Sequence, residues 1–215
     1  MKYLNISNNF IKPNFNFKFF NEVLLYLLPI ALISGSFLSD LFISLSGIIF
    51  ISYSLKQKNY FYYLNIFFII FIVWCFYIIF VSLISSDPTL SLESTLFYCR
   101  FGFFSLSVWF AIDNNKFFIR NFTLILSVVF SFLLLDAFLQ FFTGKNSIGI
   151  KYDLFRLTSF FDDQQILGSY LSRILPLLFG LLTYQFSQSK RILYFSMLIL
   201  VSADIIIFLS GERLA

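Results

Sequence analysis

Seven apolar runs, separated by more polar connections, are the sequence feature that most constrains what this chain can fold into. A helix rising about 1.5 Å per residue needs about 20 residues to cross the hydrocarbon core of a bilayer. The runs are continuously apolar rather than alternating, which favours transmembrane helices over a β-barrel. The runs are Val23–Leu38, Leu41–Leu55, Tyr60–Ile84, Thr95–Ile112, Phe117–Phe142, Ile166–Phe186 and Ile192–Leu209.

Composition supports the same fold class. Hydrophobic residues make up 59% of the 215 residues and charged residues only 12%, whereas a soluble domain carries about 25% charged residues. We therefore predict an all-α, polytopic transmembrane bundle of about seven helices. Residues 1–21 are expected to form a cytoplasmic tail, and residues 22–215 a transmembrane domain with an outer loop at 143–165. The first two runs are short and separated only by Ser39-Asp40, which predicts a tight helical hairpin.

The distribution of basic residues orients the predicted bundle. Basic residues are enriched in the cytoplasmic connections of membrane proteins, and an N-terminus inside the cell gives every short inner connection a Lys or Arg. These inner basic residues are Lys2, Lys12, Lys18, Lys56, Lys58, Lys116, Arg120, Lys190 and Arg191. The basic residues left on the outer face are Arg100, Lys145, Lys151, Arg156, Arg173 and Arg213. Because positive charge there opposes the insertion bias, we expect it to serve a ligand.

The segment Asp153–Arg173 is the most polar part of this apolar chain. Asp162 followed by Gln165 resembles a capping box, which predicts that the sixth helix begins near Asp162. Arg173 would then lie roughly 16 Å along that helix. Either the helix extends well beyond the membrane or Arg173 lines a water-filled cavity, and the cost of an arginine facing lipid favours the cavity. The planar guanidinium makes bidentate contacts with phosphate, so Arg156 and Arg173, with Arg100, are candidates for binding a diphosphate. The alternatives are a snorkelling Arg100 and a simple ion pair of Arg156 with Asp153.

Three further observations concern polar residues within the apolar runs. Asp136 and Gln140 share one helix face and either line a wet cavity or hydrogen-bond a neighbouring helix. Asp204 is another ionisable residue within a run, with no role assigned to it. Cys75 and Cys99 lack metal-site spacing and are interpreted as small buried hydrophobic residues. The chain contains no histidine, which excludes a histidine metal site or general base within it, and no metal or cofactor is predicted.

Four motifs occur in a recognisable order. They are Leu28-Pro29, Asp136-x3-Gln140-x3-Gly144, Arg156-Leu-Thr-Ser-Phe-x-Asp with Gly168-Ser-Tyr-Leu downstream, and Ser210-Gly-Glu-Arg213 at the end of a helix. Together they resemble the O-antigen ligase and O-antigen polymerase superfamily of bacterial inner-membrane proteins, over about residues 23–215. The resemblance implies a metal-independent glycosyltransferase of lipopolysaccharide biosynthesis, with its site facing the periplasm.

The same resemblance implies the substrates and the roles of several residues. The donor would be an undecaprenyl-diphosphate-linked glycan, and the acceptor lipid A-core in a ligase or another lipid-linked glycan in a polymerase. Arg156 and Arg213 carry over as donor diphosphate contacts, Arg173 joins them on the charge argument, and Asp136, Gln140 and Arg100 would be supporting polar residues. The family's expected base is a histidine in a large downstream outer loop. Because this chain has no histidine and fewer helices than the family, we expect an N-terminal portion that is inactive alone, with its catalytic base unknown.

Two other function classes are weighed beside this one. A transporter or permease fragment would use Asp136 and Asp204 as intramembrane coupling sites, but it predicts an inverted repeat that the sequence does not show. A non-catalytic membrane scaffold would not need arginines placed against the insertion bias. The bilayer is the expected surrounding in every case, and no nucleic-acid partner is predicted.

Overall fold

The computed structural model describes residues 15–151, 156–161, 166–186 and 190–211. These residues form α-helices joined by short connections and contain no β-strand; Lys145 and Lys151 form an isolated bridge. Seven helical segments are long and apolar enough to cross a membrane. The predicted all-α, multi-pass membrane fold is therefore confirmed, while the orientation of the N-terminus stays a prediction. The helices are α1 (Phe15–Ser34), α2 (Ser36–Gln57), α3 (Ile66–Leu83), α4 (Pro88–Tyr98), α5 (Arg100–Asn114), α6 (Phe118–Thr143), α7 (Leu167–Phe186) and α8 (Lys190–Leu209), with short 3₁₀ helices at Phe61–Leu64 and Ser159–Phe161.

The break between the first two helices lies at Gly35 and not at Ser39-Asp40, so the predicted position of the turn is wrong. Gly35 has φ +137°, a conformation that a residue with a Cβ atom rarely adopts. The Ser39 hydroxyl instead donates to the carbonyl of Ser36 at 2.8 Å, which lets this serine continue α2. The first helix also begins at Phe15, inside the segment predicted as a tail.

The third and fourth apolar runs are each divided in the structure. Tyr60–Ile84 begins with a 3₁₀ turn before α3, whose N-cap residue Asn65 accepts a hydrogen bond from the Phe67 N–H at 3.0 Å. The fourth run becomes α4 and α5, which meet at Cys99. The last three apolar runs agree with α6, α7 and α8 to within about two residues, the usual uncertainty of helix ends. The helix start predicted near Asp162 is wrong, because α7 begins at Leu167.

The chain divides into two compact units, and the division falls within α1 and α2. Unit 1 comprises the described parts of Met1–Leu25 and Phe42–Asn114. Its core is aromatic and contains Phe50, Tyr53, Tyr62, Leu106 and Phe110. A buried polar pair joins α1 to α5, since the Ser107 hydroxyl donates to Asn21 Oδ1 at 2.7 Å.

Unit 2 comprises the described parts of Tyr26–Leu41 and Asn115–Ala215. Here α6, α7 and α8 pack against one another, each burying one face in a shared apolar core. The α7 face shows the helical period, with Leu167, Leu171, Leu178 and Leu182 all buried. The C-cap residue of α6 is Gly144, in the left-handed conformation at φ +77°. The chain turns there into the loop 143–165, which keeps the name outer loop after the side of the membrane predicted for it.

Candidate functional site

The outer loop is attached to α6 by the side chain of Asp136, a buried residue two turns before the end of that helix. Its Oδ1 atom accepts the Ser147 backbone N–H at 2.9 Å and the Ser147 hydroxyl at 2.5 Å. Its Oδ2 atom accepts the Ser159 hydroxyl at 2.5 Å. One carboxylate therefore holds two parts of the loop that are distant from each other in sequence.

Gln140, one turn further along α6, continues this attachment. Its Oε1 atom accepts the backbone N–H groups of Ser159 at 2.7 Å and Thr158 at 3.3 Å. Its Nε2 atom donates to the Thr158 hydroxyl at 3.5 Å. Backbone amides without a helical partner must find another acceptor when they are buried, and Gln140 supplies it.

Asn146 joins the two parts of the loop to each other. Its Nδ2 group donates to the carbonyl of Ser159 at 2.8 Å. Its Oδ1 atom accepts the N–H groups of Ile150 at 2.7 Å and Ile148 at 3.1 Å. The turn after α6 and the 3₁₀ helix are thereby fixed as one element.

This network folds the segment 156–161 back along α6. The Phe160 ring stacks on the Phe132 ring with centroids 5.6 Å apart, and Leu157 and Phe161 are buried. Phe132 lies about 16 Å from the end of α6 at 1.5 Å per residue. Ser159, at the centre of the segment, has φ +49°, so its backbone is held in the left-handed region by the contacts around it.

The structure thus gives Asp136 and Gln140 a partner that the sequence analysis did not name. Both side chains bind the loop that follows their own helix, and not a neighbouring helix. The sequence signal was limited to their shared face; nothing in it identified Asn146, Ser147, Thr158 or Ser159 as partners, because those contacts depend on how the loop turns.

Arg156 begins the folded-back segment. Its side chain is exposed while its neighbour Leu157 is buried, so the guanidinium projects from an element whose backbone is fixed against α6. Arg213 and the predicted capping pair of Asp162 and Gln165 lie outside the described residues.

Arg173 occupies a different position from the one predicted. The helix that carries it begins at Leu167, so Arg173 lies about 9 Å from the helix start at 1.5 Å per residue, and not roughly 16 Å. Its side chain is exposed. The predicted depth of Arg173 along its helix is therefore wrong, and the wet cavity at this residue stays a prediction.

Arg100 belongs to unit 1, whereas the outer loop belongs to unit 2. It is the first residue of α5, and its guanidinium lies 5.2 Å from the centre of the Phe101 ring. This is the geometry of a cation–π contact. The structure brings Asp136 and Gln140 together and puts Arg156 on the segment they hold, and it assigns Arg100 to another packing unit.

An apolar crevice lies beside the folded-back segment, with a volume of about 360 Å³. Ser34, the polar residue in its wall, directs its hydroxyl to the carbonyl of Ile30 at 2.9 Å, so the crevice suits a hydrocarbon chain. Sequence reasoning missed it because its residues carry no motif. Its walls are Ile30, Ile33, Ser34, Val128, Val129, Phe132 and Phe160.

Unit 1 contains a polar contact that the sequence analysis did not predict. The hydroxyl of Tyr62 interacts with the carboxylate of Asp113, which the Trp109 indole also contacts. Burial, and then the charge of Asp113, raise the pKa of Tyr62 above its ordinary value. The phenol is the donor in this contact and the carboxylate of Asp113 is the acceptor. Within the described residues, no group of three His, Cys, Asp or Glu side chains is arranged to hold a metal ion.

No protein-family model matches the chain, and no curated protein or solved structure is significantly similar to it. Function must therefore be argued from the chemistry of the site and not from the fold.

Proposed function

We propose that the chain is part of a membrane glycosyltransferase that moves a glycan from an undecaprenyl-diphosphate donor to lipid A-core at the outer face of the bacterial inner membrane. The observation that carries the proposal is the position of Arg156. It is exposed on a segment whose backbone is fixed to α6 by Asp136 and Gln140, and that segment forms one wall of an apolar crevice through Phe160.

A lipid-linked diphosphate has two chemically different parts, and the two features suit one each. The crevice walls are hydrocarbon, which favours an isoprenoid chain over a polar ligand. The guanidinium of Arg156 can make bidentate, permanently charged contacts with a phosphate. Because only three residues lie between Arg156 and Phe160, one short element would contact both parts of the donor.

The proposed role of the arginine extends to the reaction. When the glycosidic bond breaks, negative charge grows on the departing diphosphate, and a cation held in place beforehand stabilises that charge. A fixed backbone avoids the cost of ordering the loop during the reaction. Arg213 is the second proposed contact, on the resemblance of Ser210-Gly-Glu-Arg213 alone, and no residue of this chain is assigned as the base. Arg173 is not included among the proposed donor contacts. Its exposed side chain lies within α7, and Asp204 suits it better as a partner than the donor diphosphate does.

The experiment uses cells that make a lipid-linked glycan and lack their own ligase. It expresses the longer protein of which this chain is proposed to be a part, with Arg156→Gln or Arg213→Gln. Lys151→Gln is the matched control, since Lys151 is an exposed cation of the same outer loop. We expect both arginine variants to lose about tenfold or more of glycan transfer to lipid A-core, as expected when one charge-stabilising donor is removed, and the control to retain it.

Three results would contradict or change this proposal. Full transfer by Arg156→Gln, at equal membrane levels, would refute the proposed role of this residue. Lengthening of lipid-linked repeats without modification of lipid A-core would identify a polymerase. Absence of transfer to either acceptor by the unaltered longer protein would contradict a glycosyltransferase.

A further inference from the structure

Two residues of opposite charge lie unpaired within the membrane-spanning helices α7 and α8. Arg173 and Asp204 are both on the exposed surface. Within the described residues, neither side chain makes a hydrogen bond or an ion pair. Ionisable residues in membrane spans are costly and normally face a partner or a water-filled cavity. A lipid-facing position gives neither residue what its charge requires.

The two charges lie at the same level. Residues 187–189 connect the two helices: α7 ends at Phe186, and α8 begins at Lys190. Measured from these two ends at 1.5 Å per residue, Arg173 lies about 20 Å away and Asp204 about 21 Å away. The levels therefore agree to within about one residue.

Both charges also lie on the side of the α7–α8 pair that is remote from α6. Leu193 and Thr183 line a small crevice of about 120 Å³ between the two helices. Asp204 follows Leu193 by three helical turns, so the two residues lie on the same side of α8, the side that borders α7. Arg173 lies about 200° around α7 from the buried Leu171, which faces the shared core.

We propose that two copies of the chain associate through the α7–α8 surface, with Arg173 of each copy paired with Asp204 of the other. Two copies inserted in the same direction are related by a two-fold axis along the membrane normal. Such an axis leaves the depth of every residue unchanged. An acid and a base at equal depth on one surface therefore meet each other twice across the axis. The surrounding apolar residues can face lipid or protein equally well, so the charges select a second copy.

The test uses two copies with different tags in one membrane, one carrying Arg173→Asp and the other Asp204→Arg. Each variant alone sets like charges opposite each other, and we expect its self-association to fall by about tenfold or more. Expressed together, the two variants restore both ion pairs, and we expect a heterodimer as abundant as the homodimer of the unaltered chain. Co-purification from membranes and energy transfer between fluorescent tags measure the association. Lys151→Asp mixed with Asp204→Arg is the control and should give no rescue.

A chain carrying both exchanges, Arg173→Asp with Asp204→Arg, should self-associate again, which shows that reversal of the charges has not damaged the fold. Rescue in this doubly exchanged chain but not between the mixed copies would indicate a pair within one chain and overturn the proposal. A monomeric unaltered chain in a bilayer would overturn it as well, because another helix or lipid would then cover the surface.

Discussion

Asp136 and Ser147 are eleven residues apart, and their contact fixes the start of the outer loop. The Asp136 carboxylate accepts the Ser147 backbone N–H at 2.9 Å and the Ser147 hydroxyl at 2.5 Å. The same carboxylate accepts the hydroxyl of Ser159, 23 residues along the chain. A buried acceptor that satisfies three donors in this way orders the backbone around it. This is why a largely irregular segment can pack against an apolar helix.

Replacing Asp136 with Ala should release the loop. The change removes three hydrogen bonds at a buried position, and leaving such donors unsatisfied costs about 1–3 kcal/mol for each group, so we expect a loss of about 2–4 kcal/mol of stability after partial relaxation. In detergent, the variant should unfold at lower temperature. Trypsin should also cut it faster, because Lys145, Lys151 and Arg156 all lie in the loop.

Ser131→Ala is the matched control on α6. The Ser131 hydroxyl is buried, and no residue described in the structure is its hydrogen-bond partner, so its removal should leave stability unchanged or slightly raised. Equal resistance of Asp136→Ala and the unaltered chain to heat and trypsin would contradict the anchoring role of Asp136.

Ser159 provides a test of the backbone conformation. At φ +49°, a Cβ atom costs about 1 kcal/mol, and glycine avoids this cost. Ser159→Gly and Ser159→Ala both lose the hydroxyl bond to Asp136, so their difference reports the backbone alone. We expect the Gly variant to be more stable than the Ala variant by about 0.5–1 kcal/mol in thermal unfolding. At Ser196, within α8, the order should reverse, since glycine destabilises a helix interior; the same order at both positions would contradict the left-handed backbone at Ser159.

Gly102 and Gly180 form a second matched pair. A methyl group at position 102 would lie 2.5 Å from Cε1 of Phe71, whose ring stacks on Tyr98 with centroids 5.8 Å apart. Gly102→Ala should therefore cost about 1–3 kcal/mol through overpacking. A methyl group at position 180 meets nothing within 4 Å, so Gly180→Ala should be neutral or stabilise α7 by up to about 1 kcal/mol. Thermal unfolding in detergent measures both, and a Gly102→Ala chain as stable as the unaltered one would contradict this close packing.

The sequence predicts the spans of α6, α7 and α8 well because each is one uninterrupted apolar run. It places the first turn wrongly because Ser39 and Asp40 have the polarity of a connection, whereas Gly35 has the backbone freedom that the turn requires. The polarity of a residue indicates where water is tolerated, but the backbone conformation decides where a helix ends. At this turn the two point to different residues, and the helix ends at the glycine.

The site is harder to predict, for a different reason. The shared face of Asp136 and Gln140 follows from helix geometry, but their partners Ser147 and Ser159 are brought to them by the turn at Gly144 and the left-handed backbone of Ser159. The depth of Arg173 was wrong because it was counted from a helix start at Asp162, whereas α7 begins at Leu167. No periodic pattern in the sequence contains these contacts.

The most direct test of the central claim, that the outer loop folds back along α6, is a cross-link between positions 132 and 160. The stacked rings of Phe132 and Phe160 have centroids 5.6 Å apart, so Phe132→Cys with Phe160→Cys, in a chain with Cys75 and Cys99 replaced by Ser, should react rapidly with a short bifunctional thiol reagent. We expect a nearly complete internal cross-link, and a large loss of it when Asp136→Ala is added. Cysteines that remain separately labelled, with no internal cross-link in the chain that retains Asp136, would contradict the folded-back loop and the site built on it.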